Sequence, residues 1–204
     1  MIIDKPIKFM FDLDGTITAE ETLPLIAKHF NIQEEIAEIT QETIQGNIPF
    51  IESFIRRVNI LGALPVSEIS SLLEKVELYP VLHNFILQHK ENCIIVTGNL
   101  RCWVNKLVEH IGCQSFCSEA TVENNKVVKI DSILRKETVV ENLQKTGYTV
   151  VYVGDGNNDM EAMRLADIAI AVGMTHHPSV SLLPISDYLI FNEKALCRQL
   201  NQLL

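Results

Sequence analysis

Short runs of almost unbroken apolar residues alternate along this chain with segments in which apolar residues recur every three or four positions. The runs Ile7–Leu13, Cys93–Thr97, Thr149–Val153, Ile168–Val172 and Tyr188–Phe191 have the continuous character of parallel strands buried on both faces. Between them Val104, Leu107, Val108 and Ile111 repeat at helical spacing, as do Val139, Val140 and Leu143, and finally Leu196, Leu200 and Leu203. The alternation predicts an α/β fold with a doubly wound parallel sheet, whose ligands sit at the carboxyl ends of the strands.

One stretch breaks the rhythm. Residues 15–92 separate the first predicted strand from the second, far more than the dozen or so residues a crossover requires. The excess reads as successive amphipathic helices. Leu23, Ile26, Ala27 and Phe30 form one stripe, and Ile32, Ile36 and Ile39 begin another. Phe50, Ile51, Phe54, Ile55 and Val58 form a third, and Ile69, Leu72, Leu73 and Val76 a fourth, with breaks at Gly46–Pro49 and Gly62–Pro65. The expectation is a small helical cap over residues 17–77, inserted after the first strand of a core made of 1–16 and 78–204. A helix near 80–90 returns the chain to the sheet. Asn124-Asn125, set between β-branched residues of the stretch 120–128, predicts a hairpin, because Asn tolerates positive φ.

Composition narrows the function classes. The 204 residues suffice for one well-filled core, and 47% hydrophobic content excludes a disordered or fibrous chain. A formal net charge of −9 without a Lys/Arg-rich block argues against nucleic acid or an anionic membrane as partner. Any anionic substrate must then be attracted locally, by a metal and a few fixed cations. No signal-peptide pattern or membrane-length run is expected. Five cysteines (93, 102, 113, 117, 197) lack CxxC spacing and fit reduced thiols in a cytoplasmic protein, with Cys113 and Cys117 as packing residues. His176-His177 is expected to be a solvated loop, since neighbouring side chains point apart.

Acidic residues fall where two of the predicted strands break into loops. Asp12-Leu13-Asp14-Gly15-Thr16 follows the first, and Gly154-Asp155-Gly156-Asn157-Asn158-Asp159 follows the third. Carboxylates are costly at such places unless a cation or substrate compensates. Asp12 is a metal ligand, a nucleophile or a helix cap, and Asp14 would converge on the same phosphate. A carboxylate nucleophile needs a second acid to protonate the departing alkoxide and later deprotonate water. Gly15 and Thr16 permit a tight turn with backbone N–H donors. Thr97-Gly98 supplies a hydroxyl and a free N–H at the end of the second strand, and Lys136, with Arg135 as its rival, an ammonium at a helix start. Asp155 and Asp159 suit Mg²⁺, which takes a few carboxylates, waters and phosphate oxygens. A dinucleotide loop would require glycine at 159, where this chain has Asp.

These four ordered motifs, DxDGT at 12–16, Thr97, Lys136 and GDGxND at 154–159, resemble those of haloacid-dehalogenase-superfamily phosphatases with a Rossmann-like core. The resemblance implies Asp12 as nucleophile, Asp14 as general acid/base, and Thr97 and Lys136 on the phosphoryl group. It also implies a Mg²⁺ site drawn from Asp12, Asp14, Asp155 and Asp159. Within that superfamily the chain is similar to phosphoserine phosphatases, which implies Glu21 for the substrate ammonium, Arg57 for its carboxylate, and Phe50, Gly98 and Asn158 around the substrate. Asn99 stands where that family usually has a second glycine, and the link from the hairpin to Lys136 is short. The implied activity is hydrolysis of a small phosphorylated metabolite, O-phosphoserine first, by a monomer or homodimer. Phosphocholine, phosphoethanolamine, a nucleoside monophosphate and transfer to homoserine keep the chemistry with another substrate. A phosphoacceptor receiver domain is the alternative from another class.

Overall fold

The computed structural model describes residues 5–44 and 47–204, with the side chains of all but Thr43, Ile44 and Phe50. Among the described residues seven strands form one sheet: β1 Ile7–Phe11, β2 Cys93–Leu100, β3 Gln114–Glu123, β4 Lys126–Ser132, β5 Thr149–Gly154, β6 Ile168–Val172 and β7 Tyr188–Ile190. Their order across the sheet is β4-β3-β2-β1-β5-β6-β7, and only the β3–β4 pair is antiparallel. β1 is central, with Phe11 in register with both Ile95 and Val153. From β1 the chain first builds outward on one side and later on the other, so a crevice opens beyond the carboxyl end of β1.

Continuous apolar strands are explained by helices on both faces. Phe9, Phe11, Cys93, Ile95, Val151, Val153, Ile170 and Val172 belong to one buried cluster. It is completed by α5 (Pro80–Gln88), α6 (Arg101–Ile111) and α9 (Glu193–Leu203). The alternate residues Met10, Ile94, Val96, Val150, Tyr152, Ala169 and Ala171 form a second cluster, against α7 (Lys136–Lys145) and α8 (Met160–Leu165). Strand periodicity of two thus divides each strand between two cores.

β3 was not foreseen as a sheet strand. Its Gln114–Ser118 half pairs parallel with β2, and the remainder forms the expected hairpin with β4. Its residues Gln114, Ser115 and Ser118 interrupt the apolar run, which is why periodicity found only the hairpin. Asn124 (φ 49°) and Asn125 (φ 64°) make the turn. β2 also runs three residues beyond its predicted end. Val96 pairs with Phe116 and Leu100 with Ser118, so four steps on β2 match two on β3. This bulge redirects the segment Thr97–Asn99 toward the crevice.

The insertion between β1 and β2 comprises α1 (Thr22–His29), α2 (Gln33–Ile44), α3 (Phe50–Leu61), α4 (Val66–Leu73) and then α5. Ile26, Ala27, Ile36, Phe54, Val58, Leu61, Ile69 and Leu73 share the apolar cluster of Phe9 and Leu13. The hairpin tip also holds the α3–α4 loop. Asn125 O accepts from Val66 N (2.8 Å), Asn125 Oδ1 from Ser67 N (2.9 Å), and Asn125 Nδ2 donates to Ser67 Oγ (2.9 Å). Asn125→Ala should therefore destabilise the protein by about 2 kcal/mol, combining left-handed backbone strain with lost hydrogen bonds. Asn125→Gly removes the two side-chain bonds but not the permitted backbone, and should lose about half as much. Urea midpoints of the two variants measure the split, and equal losses would exclude the backbone contribution.

Candidate active site

Asp12 lies one residue past β1, its N–H donating to Val153 O at 2.9 Å. The strand end thus carries a carboxylate into the crevice, where Asp12 is 4% exposed. Its Oδ1 accepts from Leu13 N (2.8 Å) and from Lys136 Nζ (2.7 Å). Lys136 also donates to Asp159 Oδ1 at 2.7 Å. The short link proves sufficient: β4 ends at Ser132, and Ser118 Oγ receives Leu134 N at 3.0 Å while donating to Gly98 O at 2.7 Å. Arg135, the rival cation, is exposed and paired with Glu137.

Asp159 is filled on both oxygens. Oδ1 accepts from Lys136 and from the buried Tyr152 hydroxyl (2.7 Å), and Oδ2 from Asp155 N (3.1 Å) and Gly156 N (3.0 Å). Gly154 is required here, because a Cβ would lie 2.5 Å from Asp159 Oδ2. Asp159 therefore shapes the loop carrying Asp155. Asp155 Oδ1 accepts from Thr16 Oγ1 at 3.0 Å, in a loop where Gly15 adopts φ +69°. Asp14 reaches in another direction. Its Oδ1 accepts from Thr22 N (2.8 Å), the first turn of α1, and its Oδ2 from Asn99 Nδ2 (2.6 Å).

His176 and His177 are exposed in a loop and point apart, as expected, but His176 also reaches the acidic residues. Its Nε2 lies 2.9 Å from Glu21 Oε1 and 3.1 Å from Asp155 Oδ2, while His177 turns away toward Phe191. β6 neighbours β5, so the loop after β6 abuts the loop after β5; that adjacency is invisible in local sequence. Tyr152 and Asn99 were likewise missed as site residues. Tyr152 passed for a core aromatic, and Asn99 drew notice only as a departure from glycine.

A cavity of about 470 Å³ opens beside these groups. Asp12, Asp14, Asp155, Thr97, Gly98 and Asn158 line its floor, and Glu21, Arg57, Leu23 and Phe54 its helical side. The expected residues are thus brought together, apart from Lys136 and Asp159, which lie behind Asp12. Phe50 opens α3, but its side chain lies outside the described residues. Arg57 Nε donates to Ser53 O at 3.3 Å, and burial lowers its pKa against the opposing pull of Glu21 and Asp14.

Burial and mutual repulsion dominate the electrostatics of the site. Burial, with Asp159 adding to it and Lys136 opposing, pushes the Asp12 pKa well above its ordinary value. Burial and Glu21 raise Asp14 to about 7, and burial raises Asp155 against the hydrogen bond from His176. Hydrogen bonds to Asp155 and Glu21 lift His176 to about 11. Burial pulls Lys136 down, but Asp12 and Asp159 outweigh it and hold the ammonium protonated. Oxygens of Asp12, Asp155 and Asp159 approach within 4.8 Å of one another, and the Lys136 ammonium answers two of the three. A hard divalent cation fits this donor set, and Asp12 and Asp155 are the carboxylates able to receive it. The cysteines offer no competing nucleophile, since burial raises all five thiols.

The haloacid dehalogenase-like hydrolase family matches residues 9–167, and the chain belongs to that family. Within it, the chain is similar to phosphoserine phosphatases. It is 29% identical over 179 residues to that of Methanocaldococcus jannaschii, covering 79% of this chain and 83% of the relative. To that of Archaeoglobus fulgidus it is 27% identical over 175 residues, covering 79% of this chain but only 51% of the relative. A solved phosphoserine phosphatase, a phospho-aspartyl intermediate analogue, superposes with a TM-score of 0.79 at 24% identity, covering 96% of this chain and 99% of that one. Among the described residues no helix is long and apolar enough to cross a membrane.

Asp12, Asp14 and Asp155 each have a folded pKa above the ordinary 3.8. Folding favours their protonated forms, so that stabilisation is full below about pH 4 and is lost as pH rises through the folded values. In chelator, Asp14→Asn should gain thermal stability relative to wild type between about pH 5 and 8, around the raised Asp14 value. Mg²⁺ should stabilise wild type more at pH 8 than at pH 5, because it competes with protons for the site. Melting curves that keep a constant gap between the two proteins across this range would contradict the Asp14 assignment.

Proposed function

We propose that this protein is a Mg²⁺-dependent phosphomonoester hydrolase acting through an aspartyl-phosphate on Asp12, with O-phosphoserine or a similar small amino-acid phosphate as substrate. One observation carries the reading: two buried carboxylates, Asp12 and Asp159, share one lysine at the end of β1 and a third, Asp155, lies within 4.8 Å of them, an excess of negative charge that suits a cation and a phosphoryl group together. The relatives' activity and the phospho-aspartyl analogue of the structural relative support it.

In this reading an Asp12 carboxylate oxygen attacks phosphorus, forming an O–P bond as the ester O–P bond breaks. Asp14, with a pKa near neutrality, gives its proton to the departing alkoxide. It then takes a proton from water, which attacks the same phosphorus and frees Asp12 and inorganic phosphate. Lys136 offsets charge on Asp12, and Thr97, Gly98 and Asn158 hold phosphoryl oxygens. Asp12, Asp155 and the Asp14 backbone carbonyl would hold the Mg²⁺, which supplies charge neutralisation on the phosphoryl oxygens. Asp159 belongs behind this set, because four donors already occupy its oxygens. Residues 17–77 act as a cap over a core of 1–16 and 78–204, with Arg57 on the substrate carboxylate and Glu21 toward its ammonium.

The His176–Glu21 contact favours a second reading of the same chemistry, on a small phosphomonoester without an ammonium group at Glu21. A second acid at Asp14 argues for turnover over a receiver-like phosphoacceptor. Repeated phosphate release, against one persistent bound equivalent, separates those two.

Phosphate release should require Mg²⁺ and vanish in chelator. Asp12→Asn should lose about 10⁴-fold or more in kcat while melting cooperatively. Residual turnover near wild type would refute the nucleophile. Arg57→Ala should reduce kcat/KM for O-phosphoserine by about 10- to 100-fold and spare an aryl phosphate. Equal losses on both substrates would remove Arg57 from substrate recognition.

A further inference from the structure

Asn99 sits in the β2 bulge, 5% exposed, and lines the cavity beside Asp14 and Thr97. Its backbone N–H is tied to Thr97 Oγ1 at 3.1 Å. Its Nδ2 donates to Asp14 Oδ2 at 2.6 Å and to Thr22 Oγ1 at 2.9 Å. This orientation of the amide suits Asp14 in its ionised state, the form that takes a proton from water. The atom left over is Oδ1, buried and without a hydrogen-bond donor among the described residues. Buried acceptors without donors are rare, and this one belongs to a residue that lines the cavity, so a small side-chain shift on binding would give it a partner in the substrate.

We propose that Asn99 has two linked roles: Nδ2 positions the Asp14 carboxylate, and Oδ1 accepts an N–H or O–H from the leaving alcohol. The proposal rests on the phosphomonoesterase reading above. Asp14 has to reach the ester oxygen to protonate it, and Asn99 is bonded to that same carboxylate. The substrate donor that meets Oδ1 therefore lies close to the ester oxygen, on the carbon next to the one bearing it. The substrate class is a small alkyl phosphomonoester with a vicinal amine or hydroxyl. A glycine at this position would offer neither the donor to Asp14 nor the acceptor. The contact also does not depend on Glu21, whose carboxylate is already engaged by His176.

The test compares wild type with Asn99→Gly and Asn99→Ala on four phosphomonoesters with Mg²⁺. 4-Nitrophenyl phosphate leaves without needing a proton, and ethyl phosphate needs one but has no vicinal donor. 2-Hydroxyethyl and 2-aminoethyl phosphate have both features. The variants should lose about tenfold more kcat on ethyl phosphate than on the aryl ester. On the two vicinal substrates they should lose about a further tenfold in kcat/KM. In the turnover-deficient Asp12→Asn background, calorimetry should show Asn99→Ala weakening 2-aminoethyl phosphate about tenfold relative to orthophosphate.

Equal losses on all four esters would mean that Asn99 only braces the bulge, and would overturn the proposal. So would a graded loss with no difference between ethyl and vicinal substrates, or no loss at all. A wild type that hydrolyses none of the esters fails the phosphomonoesterase reading itself. An active wild type with a flat response to Asn99→Gly fails the Asn99 proposal alone.

Discussion

The Lys136 ammonium, held 2.7 Å from both Asp12 and Asp159, is the contact on which the active end of the sheet depends. Each partner is almost fully buried, so each charge would be untenable alone. The two carboxylates outnumber the lysine, and Asp155 adds a third. A stable fold would not gather such groups for their own sake, because apolar residues of similar size would fill the space with less penalty. In the proposed function the excess charge is matched by a cation and a phosphoryl group. Asp159 links the two demands. It answers Lys136 on one oxygen and gathers the backbone N–H groups of Asp155 and Gly156 on the other.

Sheet order explains why residues more than a hundred positions apart can meet there. β1 is flanked by β2 and β5, so the chain ends of β1 at Phe11 and β5 at Gly154 and the β2 bulge after Val96 surround a single crevice. The bulge in β2 then aims Thr97 and Asn99 into that crevice rather than along the strand. Ser118 pins the bulge at Gly98 O and the approach to α7 at Leu134 N. One β3 hydroxyl thus fixes both the Thr97 segment and the start of the helix bearing Lys136.

Much of this was legible in the sequence because it rests on local signals. Unbroken apolar runs marked five strands, Asn124-Asn125 marked the hairpin, and two acidic strand ends marked the crevice. What escaped depends on neighbours in space. The Gln114–Ser118 part of β3 has a mixed composition because it lies toward the edge of the sheet, and pairing with β2 rather than periodicity defines it. Tyr152 reads as a core aromatic until Asp159 is placed beneath its hydroxyl. His176 follows β6, and nothing near it in sequence reveals that β6 adjoins the strand carrying Asp155. Asp159 does lie beside Asp12 and Asp155, but the four donors on its oxygens were not readable from a Gly- and Asn-rich loop.

The two sides of the cavity are built with different degrees of constraint. On the floor, Gly154 and Gly15 permit close backbone approach, and added side chains would meet Asp159 and Asp155. Substitution there disturbs the carboxylates directly, so the phosphoryl end is tightly specified. The far side is made from α1 and α3 side chains, the His176 loop and the Asn99 bulge, held by side-chain hydrogen bonds rather than by close backbone packing. Those groups can change without unmaking the carboxylate–lysine arrangement. Glu21 engaged by His176, and Asn99 at a position the resembling family usually gives to glycine, both lie on that adaptable side. In the proposed reaction this separates phosphoryl transfer from the choice of alcohol, with Asp14 as the joint: its carboxylate is held by α1 through Thr22 and by β2 through Asn99.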